Sequence, residues 1–340
     1  MPLSNADTRQ LYGAVETIQR PGTFLLDTFF PEIVEFDSER IDFDVISRGR
    51  KLAPFVSPKV PGRPVRTGGY QTKSFAPAYV KPKDTINPAR AQRRRAGEQY
   101  MGEMSAAERL EALTMDTLDE QRSSILRRKE WMAANALLNG QVTVEGEDYP
   151  AVTVDFGRDA ALTVTLGGGS QWGDAGVEPL TQLENWSGLT QRKSGIPALD
   201  VIMDPVAWSV FRKNADVKDV LDTRRGSESK AETGPIVPIS EARFAGEIGD
   251  MRFWVYQDYY ETEAGVETQL LPDRTVIISS PNLEGIQAHG AILDAELGLL
   301  PLEYAPKVWN EKDPSARVAM TQSAPLVVPT RVNHSFRATI

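Results

Sequence analysis

His289 and His334 are the only histidines in this chain of 340 residues, and cysteine is absent. Disulfides and thiolate metal sites are therefore excluded, and histidine-based metal or acid–base centres nearly so. His289, in "GIQAHGAI", has no partner at ligand spacing and reads as a packed or surface histidine. Carboxylate pairs such as Asp258 and Glu261 occur, but 47 acidic residues produce pairs by chance. "EGED" (145–148) lacks the alternate-position oxygens of a calcium loop and reads as a solvated turn. "GGGS" (167–170) has neither the lysine nor the helix start of a phosphate cradle, so it reads as a loop or hinge. G-x-S-x-G, G-x-x-x-x-G-K-[ST], H-E-x-x-H and a strand-borne G-x-G-x-x-G are all missing. The expectation is no enzyme, no cofactor and no metal.

Charge is the more informative chemistry. From Arg48 to Arg95 there are thirteen lysines and arginines against one acid, Asp84, a window of +12. The whole chain is −9, so the remaining 25 basic and 46 acidic residues leave −21 elsewhere. Segregation of this kind points to a nucleic-acid patch or to a surface that meets acidic copies of the same chain. Arg93, Arg94 and Arg95 follow Gln92, while Tyr70, Phe75 and Tyr79 alternate with lysines, a texture that can neutralise phosphates and stack on bases. Against that, the acidic remainder repels a polyanion, and no known nucleic-acid module is present.

The elements that carry this charge are unusual. Prolines 54, 58, 61, 64, 77, 82 and 88 and Gly68-Gly69 fall inside the basic window, so strands there must be edge-like. "RPVRTGGYQTKSF" resembles two short strands about a Gly-Gly turn, and a long projecting two-stranded loop is the best reading. Such a pair is marginal alone, so "FAPAYVKPKDTINP" (75–88) needs a neighbour to lie on. Upstream, residues 1–47 read as an arm with one helix near Thr8–Ile18.

Downstream, residues 105–139 hold no Pro or Gly, open with Ser105 and Glu108 in capping-box relation and stop at Asn139-Gly140. About 34 helical residues reach on the order of 50 Å. Leu110, Leu113, Leu118, Ile125, Met132 and Ala136 form a loose stripe that does not keep coiled-coil heptads. "QVTVEGEDYPAVTVDFG" and "ALTVTL" read as antiparallel strands, and "VIMDPVAWSVF" as a buried strand, then a helix opened by Pro205. "RFWVYQDYYETEAGVETQLLPDRTVIISS" reads as a long hairpin turning at Gly265, and "VAMTQSAPLVV" as one apolar strand. The class is α+β, with about two domains.

Composition is that of a soluble globular chain, 41% hydrophobic and 25% charged. No apolar run approaches the ~20 residues that cross a bilayer, and the N-terminus does not read as a secretory signal. The cysteine-free composition fits a reducing cytosol.

An arm, a basic loop, a very long helix and no chemistry describe a subunit that tiles through complementary patches. Four blocks carry a resemblance: "VSPKVPGRPVRTGGYQTKSFAPAYVKPKDTINPARA" (56–91), "VIMDPVAWSVFRKNADVKDVLDTRRGS" (201–227), "LLPDRTVIISS" (270–280) and "DPSARVAMTQSAPLVV" (313–328). In order and spacing they resemble the phage capsid protein E family, the major head proteins of lambda-like tailed phages. The resemblance implies an α+β Hong Kong 97-type capsid fold: N-terminal arm 1–50, extended E-loop 51–100, P-domain 101–174 with spine helix 105–139, A-domain 175–305 and a C-terminal P-domain strand in 306–340. It implies self-assembly, in the host cytoplasm, into hexamers and pentamers of an icosahedral procapsid that expands around double-stranded DNA. Scaffold, portal, maturation protease and a decoration protein are the implied partners, with no membrane and no E-loop cross-link. The residues expected at inter-subunit contacts are Arg63, Arg66, Lys73, Tyr79, Lys81 and Lys83 in the loop, and Arg224 and Arg225 in the A-domain. For the last two, capping of a helix C-terminus after Leu221 is an equal alternative.

Overall fold

The computed structural model describes residues 23–340, apart from residues 39, 48–51, 54, 60, 62–68, 76, 78, 94–103, 147–148, 216, 219–241 and 263. The helix expected near Thr8–Ile18 lies outside the described residues, as do Gly68 and the block "LDTRRGS".

Five α-helices are described: α1 (Phe24–Phe29), α2 (Pro88–Gln92), α3 (Ala106–Asn139), α4 (Pro179–Ser194) and α5 (Pro205–Phe211). Helix α3 starts and stops where its sequence says it should. Ser105 Oγ accepts from Glu108 N at 3.2 Å, and Glu108 accepts from Ser105 N at 2.6 Å, so two orphan donors are satisfied reciprocally. Gly140 closes the helix at φ 64°, and a Cβ there would meet Arg158 Cβ at 2.7 Å. The loose stripe is only part of its packing. Leu118, Ile125, Met132 and Ala136 are buried, whereas Leu110 and Leu113 are half-buried. Over its last turns, Lys129, Glu130, Ala133, Ala134, Leu137 and Leu138 are buried as well, so this end is core nearly all round.

That end of α3 packs with α1, the hairpin Gln141–Gly146/Tyr149–Asp155 and a three-stranded sheet in one hydrophobic cluster. The sheet runs Glu32–Glu35, Gly285–His289, Pro325–Pro329, the first pair parallel and the second antiparallel. A second cluster lies between α4, α5 and a six-stranded sheet. Its order is Thr163–Thr165, Ser335–Thr339, Thr275–Ser279, Asp200–Met203, Met251–Tyr256, Ala242–Ile248. A third sheet, Ala305–Lys312, Ser315–Gln322, Lys83–Ile86, is antiparallel and lies along the middle of α3.

Several local expectations change. "ALTVTL" supplies Thr163–Thr165, which pairs parallel with Ser335–Thr339 rather than with its sequence neighbours. The long hairpin about Gly265 shrinks to Tyr259–Glu261 against Glu267–Gln269. Its flanking strands, Met251–Tyr256 and Thr275–Ser279, do not pair with each other, because the fully buried strand Asp200–Met203 lies between them. "VAMTQSAPLVV" is two strands in two sheets, parted at Ser323 and Ala324. Gly69 begins a strand, Gly69–Phe75, that pairs antiparallel with Ile41–Ser47, while the other strand expected about the Gly-Gly turn lies outside the described residues.

Candidate inter-subunit surface

The returning arm of that loop is tied to its own chain before it can meet another. Val80 forms a bridge with Ser323, and Lys83–Ile86 is the third strand of the Ala305–Gln322 sheet. The expectation that 75–88 takes its fold partner from a neighbour is therefore corrected. The strand ladder is internal, because "ARVAM" presents a free edge that Lys83–Ile86 completes at Arg317–Met320.

Of the eight expected contact residues, four lie outside the described residues: Arg63, Arg66, Arg224 and Arg225. The other four fall along one path. Lys73 donates to the carbonyl of Asp155 and stands 3.7 Å from its carboxylate, which ties the loop to the hairpin beyond α3. Tyr79 is half-buried; its hydroxyl donates to Ala291 O at 2.7 Å and accepts from Leu293 N at 2.6 Å. Lys81 lies 4.7 Å from the Tyr79 ring centroid, and Lys83 lies 5.5 Å from that of Trp309. Both lysines keep exposed surface, so their charge faces outward over aromatic supports.

Sequence reasoning missed the charges inside the subunit. Glu130 is 1% exposed, and its carboxylate accepts from Leu25 N, Leu26 N and the Tyr256 hydroxyl, each at 2.9 Å. The carboxylate thus fills the role of a cap for the first turn of α1. Lys129, fully buried, pairs with Glu303 at 2.6 Å and stacks 5.6 Å from Tyr304. Arg158 donates to the last carbonyls of α3, Leu137 O and Leu138 O, at 2.6 and 2.5 Å, and to Thr163 Oγ1 at 2.8 Å. Burial, with repulsion from Arg337 second, pushes the Arg158 pKa down to about 10. Asp204 caps α5 through Val206 N at 2.8 Å and takes Thr275 N at 2.9 Å, while burial raises its pKa. No sequence motif announces these groups, apart from the Asp204-Pro205 helix start. The two histidines are structural in position. His289 is buried in its strand, and His334 Nδ1 donates to Asn282 O at 2.8 Å.

Among the described residues, no group of three or more potential ligands could hold a metal ion, and no helix is long and apolar enough to cross a membrane. What the geometry does offer is a folded body with a charged arm laid along one edge. Such an arm is of the class that can meet complementary surface on other copies of its own chain.

Comparison with known proteins gives the class a family. The family description "Phage major capsid protein E" matches residues 7–340. The chain belongs to that family, the major capsid proteins of bacteriophages. The P21 prophage-derived major head protein of Escherichia coli CFT073 is 33% identical over 325 residues, covering 94% of this chain and 95% of its own. The major capsid protein of Escherichia phage lambda is 32% identical over 330 residues, 96% of each chain. A solved prophage capsid protein of E. coli CFT073 superposes with a TM-score of 0.77 at 25% identity, over 98% of this chain and 99% of its own. The fold is therefore the α+β capsid fold of the Hong Kong 97 type, as the sequence led one to expect.

Proposed function

We propose that this chain is the shell-forming subunit of a lambda-like tailed-phage head, assembling as hexamers and pentamers into an icosahedral procapsid that encloses double-stranded DNA. The match to one capsid family from residue 7 to residue 340 carries this reading, because it takes in arm, loop, helix and sheets together. The proposed division is arm 1–50, E-loop 51–100, P-domain 101–174, A-domain 175–305 and C-terminal strand region 306–340. Arg63, Arg66, Lys73, Lys81 and Lys83 are the loop cations that meet acidic surface on the next copy, with Tyr79 anchoring their base. Arg224 and Arg225 make the corresponding A-domain contacts. Each exposed pair contributes only about 0–1 kcal/mol, a weakness that repetition over a shell offsets and that permits correction during assembly. Scaffold, portal, maturation protease and decoration protein are the partners, the shell assembles in the host cytoplasm, and the subunit performs no chemistry.

Size-exclusion chromatography of the purified chain with negative-stain imaging tests this. The expected result is large, salt-sensitive capsomers or shells. A small species that shifts DNA with a steep salt slope would instead make this a nucleic-acid-binding protein.

A further inference from the structure

Two guanidinium groups meet at the end of α3, and among the described residues neither has a carboxylate within ion-pair distance. Arg158 passes over Gly140 to reach Leu137 O, Leu138 O and Thr163 Oγ1. Arg337 donates to Asn139 Oδ1 at 3.3 Å and to Thr339 Oγ1 at 3.4 Å. Strand register brings the second group to the first. Arg337 lies opposite Thr163, and Thr339 opposite Thr165, in the parallel pair at the edge of the six-stranded sheet. They occupy the face turned away from Phe336 and Ala338, which are buried in the second cluster. Both arginines are half-buried, while Asn139, Thr163 and Thr165 are exposed, so the group opens to solvent. The acids nearest Arg158 in sequence are engaged elsewhere: Asp159 pairs with Lys193 at 2.6 Å, and Asp155 stands 3.7 Å from Lys73.

We propose that Arg158, Arg337, Thr163 and Thr339 form a binding site for a phosphate group. The hydrogen bonding is one-sided. Thr163 Oγ1, Asn139 Oδ1 and Thr339 Oγ1, the side-chain oxygens that face the pair, each already accept from a guanidinium. Neither threonine hydroxyl donates to an acceptor among the described residues, and Arg337 Nε is buried without one. The cluster is therefore rich in donors and short of acceptors, a deficit that an external oxyanion fills. Charge acts in the same direction. The last carbonyls of α3 supply only about −0.5 against two full positive charges, which leaves about +1.5. Burial, then repulsion from Arg337, lowers the Arg158 pKa, and burial lowers that of Arg337; a bound anion relieves both. A phosphate fits this set better than a carboxylate does. It can carry two negative charges, and its oxygens point in several directions, toward guanidiniums and hydroxyls at once. Inorganic phosphate and a nucleic-acid phosphodiester share this chemistry. The site stands on the subunit alone and does not depend on the shell reading.

Isothermal titration calorimetry of the full chain with inorganic phosphate, at an ionic strength fixed with chloride, tests the site. The expected outcome is saturable binding that Arg337→Gln weakens about tenfold or more, as loss of a charge-assisted contact should. Arg128→Gln, which removes an exposed cation stacked on Trp131, should leave that binding unchanged. Should Arg337→Gln fail to fold, Thr163→Val at its exposed position takes its place, with a severalfold weakening expected. No saturable binding, equal binding by parent and variant, or acetate bound as tightly as phosphate would each overturn the site. Repeating the titration with a duplex oligonucleotide already present separates the sources. Loss of the Arg337-dependent phosphate signal assigns the site to a phosphodiester, and an unchanged signal assigns it to free phosphate; both support a phosphate site.

Discussion

Glu130 accepts from two backbone amides of α1 and from the Tyr256 hydroxyl, each at 2.9 Å, in a site that water does not reach. Truncating it leaves three buried donors without this acceptor, at about 1–3 kcal/mol each. Glu130→Ala should therefore destabilise the subunit by at least ~3 kcal/mol in a denaturant melt. Glu130→Gln, which keeps one accepting oxygen, should cost less. A loss for Glu130→Ala below about 1 kcal/mol would show that the cap is dispensable. His334 gives the residue scale a pH dependence. Burial is the main cause of its lowered pKa, so the native state disfavours the charged ring. The unfolded chain then takes up the proton first, at the ordinary value of 6.5. Stability contributed by neutral His334 is full above that pH and is lost as pH falls from there through the lower native pKa. His334→Gln should flatten this part of a melting-temperature profile; an unchanged profile would assign the acid sensitivity to other groups.

At the scale of elements, α1 and the strand Glu32–Glu35 lock the start of the described chain into the core. Gly285 is the contact that allows it, since a Cβ there would collide with the Phe30 ring and the carbonyl of Phe29. Gly285→Ala should cost about 1–3 kcal/mol by overpacking, read as a lower denaturation midpoint at unchanged slope. These elements also show how far the sequence could be read. Helix α3 was legible to within a residue because its signals are local: Ser105 and Glu108 at one end, Gly140 at the other, nothing breaking the run between. The strand–helix join at Asp204-Pro205 was legible for the same reason. Strand partners were not, because pairing is decided by distant chain. Nothing in "RFWVY" and "TVIIS" announces that Asp200–Met203 separates them. Nor does local sequence tell that Lys83–Ile86 completes a sheet some 230 residues downstream, its Lys83 opposite Met320. Buried charges escaped for a related reason: Lys129 and Glu130 look like solvent-facing helix residues until Glu303 and α1 are brought against them.

On the scale of the whole molecule, the proposed contact sets the basic window of one copy against the acidic remainder of the next. Lys81 and Lys83 are accessible members of that window, supported on Tyr79 and Trp309. Reversing both (Lys81→Glu, Lys83→Glu) should leave the melting transition within about 1 kcal/mol of the parent, as exposed charges allow. It should sharply reduce the yield of regular heads by electron microscopy, and normal heads from this variant would remove the loop lysines from the assembly contacts. The central claim, that the chain is itself the shell, is tested most directly by cryo-electron microscopy of particles formed by this protein. The account predicts an icosahedral reconstruction with capsomers of six and five copies, each filled by the subunit fold described here. Particles lacking such capsomers, or a chain that stays small and soluble under every assembly condition, would contradict it.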